Sequence, residues 1–363
     1  MAIDRPSISN LDEIAASLPC EEKAVFQRIY EVATVLGEAR IPKKMEPWVR
    51  ERFGSVDAVT RQKVVRVTNL ITLEEALFNR LRCLRPAEFR EKESLEAPLD
   101  EAGRDDLFAT PGDTTPEDPF GRVSGKHCVT AGNIAKYDGL HGVVIYRDFH
   151  PLSFSREQLI DCIDVGLEWA RRAHAHQPQA KYFFLIWNCL WRAGASIQHG
   201  HAQVMLTRGR HYARIERLRR ASLDYRQRFG ADYFSDLFRA HDSVGCALAK
   251  GGVRILAHLS PFKDNEIIIL SDELNLSFKE RLYEVLSCFR DRLGIVSFNL
   301  GLAPPPLAET EESWQGFPVV AWLVDRGDLS SRASDVGGME IYAASVIGSD
   351  SFELARQLRS HLA

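Results

Sequence analysis

The sequence predicts an α+β protein made of two related halves, each an antiparallel sheet with helices, behind a helical N-terminal extension. Three observations carry this. Between residues 126 and 207 two strand patterns, a helical pattern and two more strand patterns follow one another, and the same order returns between 253 and 325. Residues 8 to about 90 show apolar residues at helical spacing instead. At 363 residues, with 45% hydrophobic and 26% charged, the chain exceeds one simple domain and has a soluble globular composition. The expected layout is a helical extension and loop over 1–110, a catalytic half over 111–208, a helical connector over 209–250 and a degenerate second half over 251–363.

In the extension, Glu21 to Ala39 carries Val25, Ile29, Val32, Ala33 and Leu36 at helical intervals, and Asp57 to Leu84 carries Val64, Val67, Leu70, Leu73, Ala76, Leu77 and Leu81. Both predict helices, the second ending at Arg85-Pro86. Ala109 to Pro116 is a loop by composition, either an exposed connector or a cover for a substrate. Lys126 to Thr130 and Leu140 to Tyr146 read as strands. Ser155, with Gln158 three residues on, is a capping box that starts a helix reaching His174. Tyr182 to Trp187 is the next strand, ending in Asn188.

The stretch that follows concentrates the chemistry: Gly194-Ala195-Ser196-Ile-Gln-His199-Gly-His201-Ala-Gln203. In an extended segment alternate side chains share a face, so His199, His201 and Gln203 project together. Imidazole is a good nucleophile near neutral pH and can carry a phosphoryl or nucleotidyl group covalently. Gln203, Ser196 and the backbone N–H groups around Gly194 and Ala195 can donate hydrogen bonds to phosphoryl oxygens. His174 and His176 are also two apart, but they end a helix, where such residues do not face each other.

The signature Ser196-x-x-His199-x-His201-x-Gln203 resembles that of the histidine triad superfamily, in the branch of galactose-1-phosphate uridylyltransferase and the dinucleoside-tetraphosphate and ADP-sugar phosphorylases. The similarity covers roughly residues 120 to 207, with a looser likeness beyond. It implies two histidine-triad-type halves, His201 as the nucleophile, Gln203 on the phosphoryl group, and Ser196 on the leaving phosphate. Asn188 matches an asparagine of the family. Asn133 falls where the family has an asparagine-containing motif near the nucleotide, and Lys136 beside it could neutralise a phosphate. Arg332, in the stretch matching the family's C-terminal close, is the candidate for an anionic substrate, ahead of Glu340. His150 and His199 match two zinc ligands of the uridylyltransferases, but their Cys-x-x-Cys is absent, so zinc is not expected and no cofactor is required. The signature has Gly200 where the uridylyltransferases commonly have proline, which leaves the acceptor open.

The expected function is therefore a nucleotidyltransferase or phosphorylase. It would work through a nucleotidyl-histidine on a nucleoside-diphosphate-linked or dinucleotide substrate, with phosphate or a sugar phosphate as acceptor. The alternatives are a nucleotide-pyrophosphate hydrolase and a non-catalytic nucleotide-binding protein.

The eight arginines from Arg208 to Arg228 predict a helix with a basic, solvated face. Later strands are read at Val253 to His258, Glu266 to Ser271, Ile295 to Leu302 and Phe317 to Asp325, with helices at Leu276 to Leu293 and Ser351 to Leu362. The second half has Trp314-Gln-Gly-Phe-Pro-Val where the first has the histidines, so it lacks a nucleophile. A net charge of −4 gives no field favouring nucleic acid, and no apolar run has the length of a membrane span. The N-terminus lacks the features of a secretory signal. Seven scattered cysteines without Cys-x-x-Cys suit reduced thiols in the cytoplasm. A homodimer is common in the family the signature resembles.

Overall fold

The computed structural model describes residues 5–84, 99, 103, 106–331 and 333–363. Its centre is a nine-stranded sheet in the order β4-β5-β7-β6-β11-β12-β10-β9-β8. The strands are β4 (Cys128–Gly132), β5 (His141–Tyr146), β6 (Ala180–Cys189), β7 (His201–Arg208), β8 (Ala247–Lys250), β9 (Val253–Ala257), β10 (Ile267–Ser271), β11 (Phe298–Ala303) and β12 (Val319–Asp325). All neighbouring pairs are antiparallel. The first half runs β4-β5-β7-β6 and the second β9-β10-β12-β11, the same winding, and β6 joins β11 at the centre. The two related halves read from the sequence are present as one continuous sheet.

Helix α4 (Arg156–His176) crosses the first half and α7 (Leu276–Ser287) the second. The expected Ser155–Gln158 capping box is formed. Both helices bury their apolar sides on one face of the sheet. That core takes Ala202, Val204 and Leu206 from β7 and Leu185 and Trp187 from β6. Because side chains alternate along a strand, His201, Gln203, Ile186 and Asn188 are turned to the opposite face. Over the second half that opposite face is covered by α5 (Ala213–Phe229) and α6 (Tyr233–Ser243). Over the first half it carries the histidines.

The register defines one row across six strands: Val143, Gln203, Ile186, Gly301, Trp322, Ile268. Its midpoint lies between Ile186 and Gly301. The relation between the halves therefore sets Trp322 where the first half has Gln203. The neighbouring pair Val320–Leu270 corresponds to His201–Ile145.

The N-terminal part departs from its reading. Helices α1 (Leu11–Ser17), α2 (Cys20–Ile29) and α3 (Glu46–Phe53) are there, but the helix expected to Ala39 stops at Ile29 and continues as β1 (Tyr30–Glu38). Most of the helix expected over Asp57 to Leu84 is β2 (Arg61–Asn69) and β3 (Glu75–Phe78), preceded by one short helix, Val56–Thr60. The segments are rich in Val and Thr, which lose side-chain freedom in a helix and pack well on a pleated surface. In β2 it is Val65, Val67 and Asn69 that are buried, a period of two that the i, i+3 match of Val64, Val67 and Leu70 had masked. The second sheet, β1-β2-β3-β13, is completed by a C-terminal strand, β13 (Ser345–Ile347), parallel to β3. Short helix Gly338–Tyr342 and helix α8 (Ser351–Leu362) close the chain. The six cysteines whose side chains are described are free. Among the described residues no helix is long and apolar enough to cross a membrane.

Candidate active site

The loop between β6 and β7 is built on strained backbone. Leu190 has φ +67° with ψ 170°, a conformation that costs a side-chain-bearing residue about 1–3 kcal/mol and is held here by burial of the leucine. A short turn, Trp191–Ala193, follows, and Gly194 takes φ +94°. Ser196 is exposed. Gly200 allows a close packing contact: a Cβ there would lie 3.2 Å from the Tyr146 ring and 3.3 Å from Pro151 Cα.

His201 starts β7 and is buried. Its Nδ1 donates to the backbone carbonyl of His199 at 2.8 Å, which fixes the tautomer and leaves the lone pair on Nε2. Among the described residues nothing hydrogen-bonds that Nε2. Burial, above all, lowers the pKa of His201 below its ordinary value, and the His199 ring adds to this against the pull of the carbonyl. The ring is thus kept neutral and nucleophilic.

His199 does not share that freedom. Its Nδ1 lies 2.7 Å from Asp106 Oδ2 and its Nε2 2.6 Å from the Tyr146 carbonyl, so both ring nitrogens donate to oxygen acceptors. The Phe108 ring stands edge-on to His199 and His201, with centroids 5.9 and 5.2 Å away. Asp106 and Phe108 escaped the sequence reading. The available signal was weak: Leu107-Phe108 is an isolated apolar pair in a polar stretch.

Gln203 is held by His141, a residue given no role from sequence. The Tyr137 N–H donates to His141 Nδ1 at 2.9 Å, so a neutral His141 carries its proton on Nε2, 2.9 Å from Gln203 Oε1. That bond turns the Gln203 amide N–H groups away from His141 and makes them available as donors. Asn133 Nδ2 approaches the same ring nitrogen at 3.2 Å, while its Oδ1 accepts from Ala135 N–H. Lys136 donates to the His141 carbonyl at 2.9 Å and lies 3.7 Å from Asp118. Asn133, through its backbone N–H at 3.0 Å, and Lys136 both donate to the His141 carbonyl and so are joined to the Gln203 support.

Asn188 faces the second half. Continuing the β6–β7 register sets it beside His201, and it pairs with Asn299 across the central seam. Asn299 Nδ2 donates to Asn188 Oδ1 at 2.7 Å and to the Ala193 carbonyl at 2.9 Å. Arg326 donates to Asn299 Oδ1 at 2.6 Å and forms a two-pronged pair with Asp335 at 2.7 and 3.0 Å. Asn299 and Arg326 were not foreseen, since nothing in one sequence pairs positions 188 and 299. Arg332 lies outside the described residues. The Glu340 carboxylate is taken up by the N–H groups of Gly337 and Val346, as a cap.

Of the two histidines matched to zinc ligands, His199 has both nitrogens engaged and His150 Nδ1 accepts from Leu152 N–H, and no three His, Cys, Asp or Glu side chains converge among the described residues. His174 and His176 sit in the last turn of α4, where His174 Nδ1 bonds the Ala180 carbonyl at 2.7 Å.

No protein-family model matches the sequence, and no curated protein does. Solved structures do. An ADP-glucose phosphorylase of Arabidopsis thaliana, with bound ADP-glucose, aligns with a TM-score of 0.61 at 17% identity, covering 81% of this chain and 98% of that one. A GALT-like protein of the same plant aligns at 0.58 and 17%, over 81% and 98%. A uridylyltransferase aligns at 0.56 and 14%, over 82% and 98%. The likeness extends over nearly the whole length of these proteins: this chain has the fold of the ADP-glucose phosphorylase and of the uridylyltransferase.

Proposed function

We propose that the protein is a nucleotidyltransferase or phosphorylase working through a covalent nucleotidyl-histidine. The observation that carries the reading is the state of His201: neutral, with Nδ1–H committed to a carbonyl and Nε2 unengaged. Nε2 attacks the phosphorus of a nucleoside-diphosphate-linked or dinucleotide donor. An N–P bond forms as the P–O bond breaks, and the leaving phosphate departs with the electron pair. The positive charge arising on the ring is stabilised through Nδ1–H by the His199 carbonyl. Phosphate or a sugar phosphate then attacks the same phosphorus from the vacated side, and the N–P bond breaks, restoring the imidazole. Two inversions give net retention.

Gln203, oriented by His141, donates to the phosphoryl oxygens and the exposed Ser196 to the leaving phosphate, whereas the N–H groups of Gly194 and Ala195, expected to join it, are taken by the Trp191 and Leu190 carbonyls at 3.0 and 3.2 Å. Asn188, Asn133 and Lys136 contribute to binding the nucleotide. Positioned donors stabilise the charge, so the reaction requires no metal in principle.

The test is the intermediate itself. The chain is mixed with a single donor from a panel of UDP-, ADP- and GDP-sugars and dinucleoside polyphosphates, denatured, and weighed. One nucleotidyl group per chain is expected with at least one donor, and none in His201→Asn. Turnover in that variant should fall on the order of 10⁴-fold or more, as when a nucleophile is deleted elsewhere. Absence of an adduct across the panel removes the reading.

A further inference from the structure

The second half keeps a pocket where the first half keeps its histidines. A cavity of about 470 Å³ opens on the covered face of the second half, floored by Ile268, Leu270, Val320 and Trp322. These four occupy the positions that correspond to Val143, Ile145, His201 and Gln203. The nucleophile has become valine and the glutamine tryptophan, yet the space above them has not been filled by packing. Its size falls in the range of small-molecule sites.

The aromatic rings of Trp322, Phe229 and Phe234 line the cavity, and the Arg228 guanidinium lies 5.0 Å from the Phe229 ring centre. The Arg214 guanidinium lies 5.6 Å from the Trp322 ring centre, tied to Glu74 and Glu266 at 3.2 and 3.3 Å. At the rim, Arg217 and Arg228 have no carboxylate partner among the described residues, and they outnumber the one unpaired acid there, Asp224. His258 also lines the cavity. Its ring is buried, and its Nδ1 has no hydrogen-bond partner.

We propose that this cavity is a second binding site, distinct from the His201 centre, for a small aromatic anion. The ring lies among the aromatic walls and the anionic group meets Arg217 and Arg228. The proposal does not depend on the chemistry assigned to His201.

Calorimetric titration of the full chain with 1-naphthyl phosphate tests it, with one saturable site expected per chain. Ala221→Trp, which puts an indole on the helical wall, should raise Kd by about tenfold or more. Arg217→Ala with Arg228→Ala should raise Kd severalfold at low salt and leave the weaker binding of uncharged 1-naphthol unchanged. His201→Ala should leave Kd unaltered. The proposal is overturned by no saturable binding, by binding that His201→Ala abolishes, or by an unchanged Kd in a cooperatively melting Ala221→Trp. Should Ala221→Trp fail to fold, an unchanged Kd in the double arginine variant overturns it equally.

Discussion

One imidazole differs from its neighbour two residues away only in what its nitrogens touch. His199 spends both on oxygen acceptors and becomes a strut; His201 spends one and keeps a lone pair. The burial that lowers the pKa of His201 also sets a pH prediction. The neutral form attacks, and a lowered pKa extends that form to more acid solution. The half-maximum of adduct formation should therefore lie below pH 6.5, the ordinary imidazole value. Stopped-quench rates from pH 5 to 8 measure this, and a half-maximum at or above 6.5 contradicts it. The histidines and the glutamine were legible at this scale because their spacing implies a shared face. The partners Asp106, Phe108 and His141 were not, because contacts between distant segments leave no trace in local spacing.

Among the elements, β5 shows how closely the first half is packed. A Cβ on Gly142 would meet Trp169 Nε1 at 2.8 Å and the Ala131 carbonyl at 3.1 Å. Trp169 is fully buried and its Nε1 donates to Asp118 at 2.7 Å, so it has little room to give. Gly142→Ala should lower unfolding stability by about 1–3 kcal/mol, read from the denaturant midpoint. An unchanged midpoint means that α4 shifts freely on the sheet. The strands and helices of the central sheet were readable because each combines a clear period with a boundary residue, as Ser155 does for α4. β1 and β2 were not, because Val and Leu recur there at intervals compatible with both periods. Pairing over nine positions, from Tyr30 with Asn69 to Glu38 with Arg61, decides between them.

For the whole molecule, the two halves meet at the site. Asp335 and Arg326, from the second half, brace Asn299, which braces Asn188 and the Ala193 carbonyl. Arg326→Ala should slow adduct formation roughly tenfold, about the 1.4 kcal/mol of one charge-assisted hydrogen bond, with little change in melting temperature. A rate equal to wild type would show that the second half does not tune the first. Global stability should also depend on pH. Burial lowers the pKa of His211 to about 4 and of His241 to about 3, and it lowers His141 and His201 as well. A histidine with a depressed folded pKa contributes stability above its unfolded value near 6.5 and loses it as pH falls. Glu74, which burial would raise but His258 and Arg214 hold at about 2, adds loss of the same sign below pH 4.5. The melting temperature should thus fall steadily from pH 6.5 to 4. A flat profile there would contradict buried neutral histidines.

The sequence by itself determined the α+β class and the repeated order of elements, since these follow from local period, and its signature singled out His201 as the candidate nucleophile through the resemblance it carries. Tertiary structure alone decided the rest: that β13 completes the N-terminal sheet, that Asn299 faces Asn188, and that a cavity survives above Trp322. Each of those depends on where distant segments come together, and a local pattern holds no information about that distance.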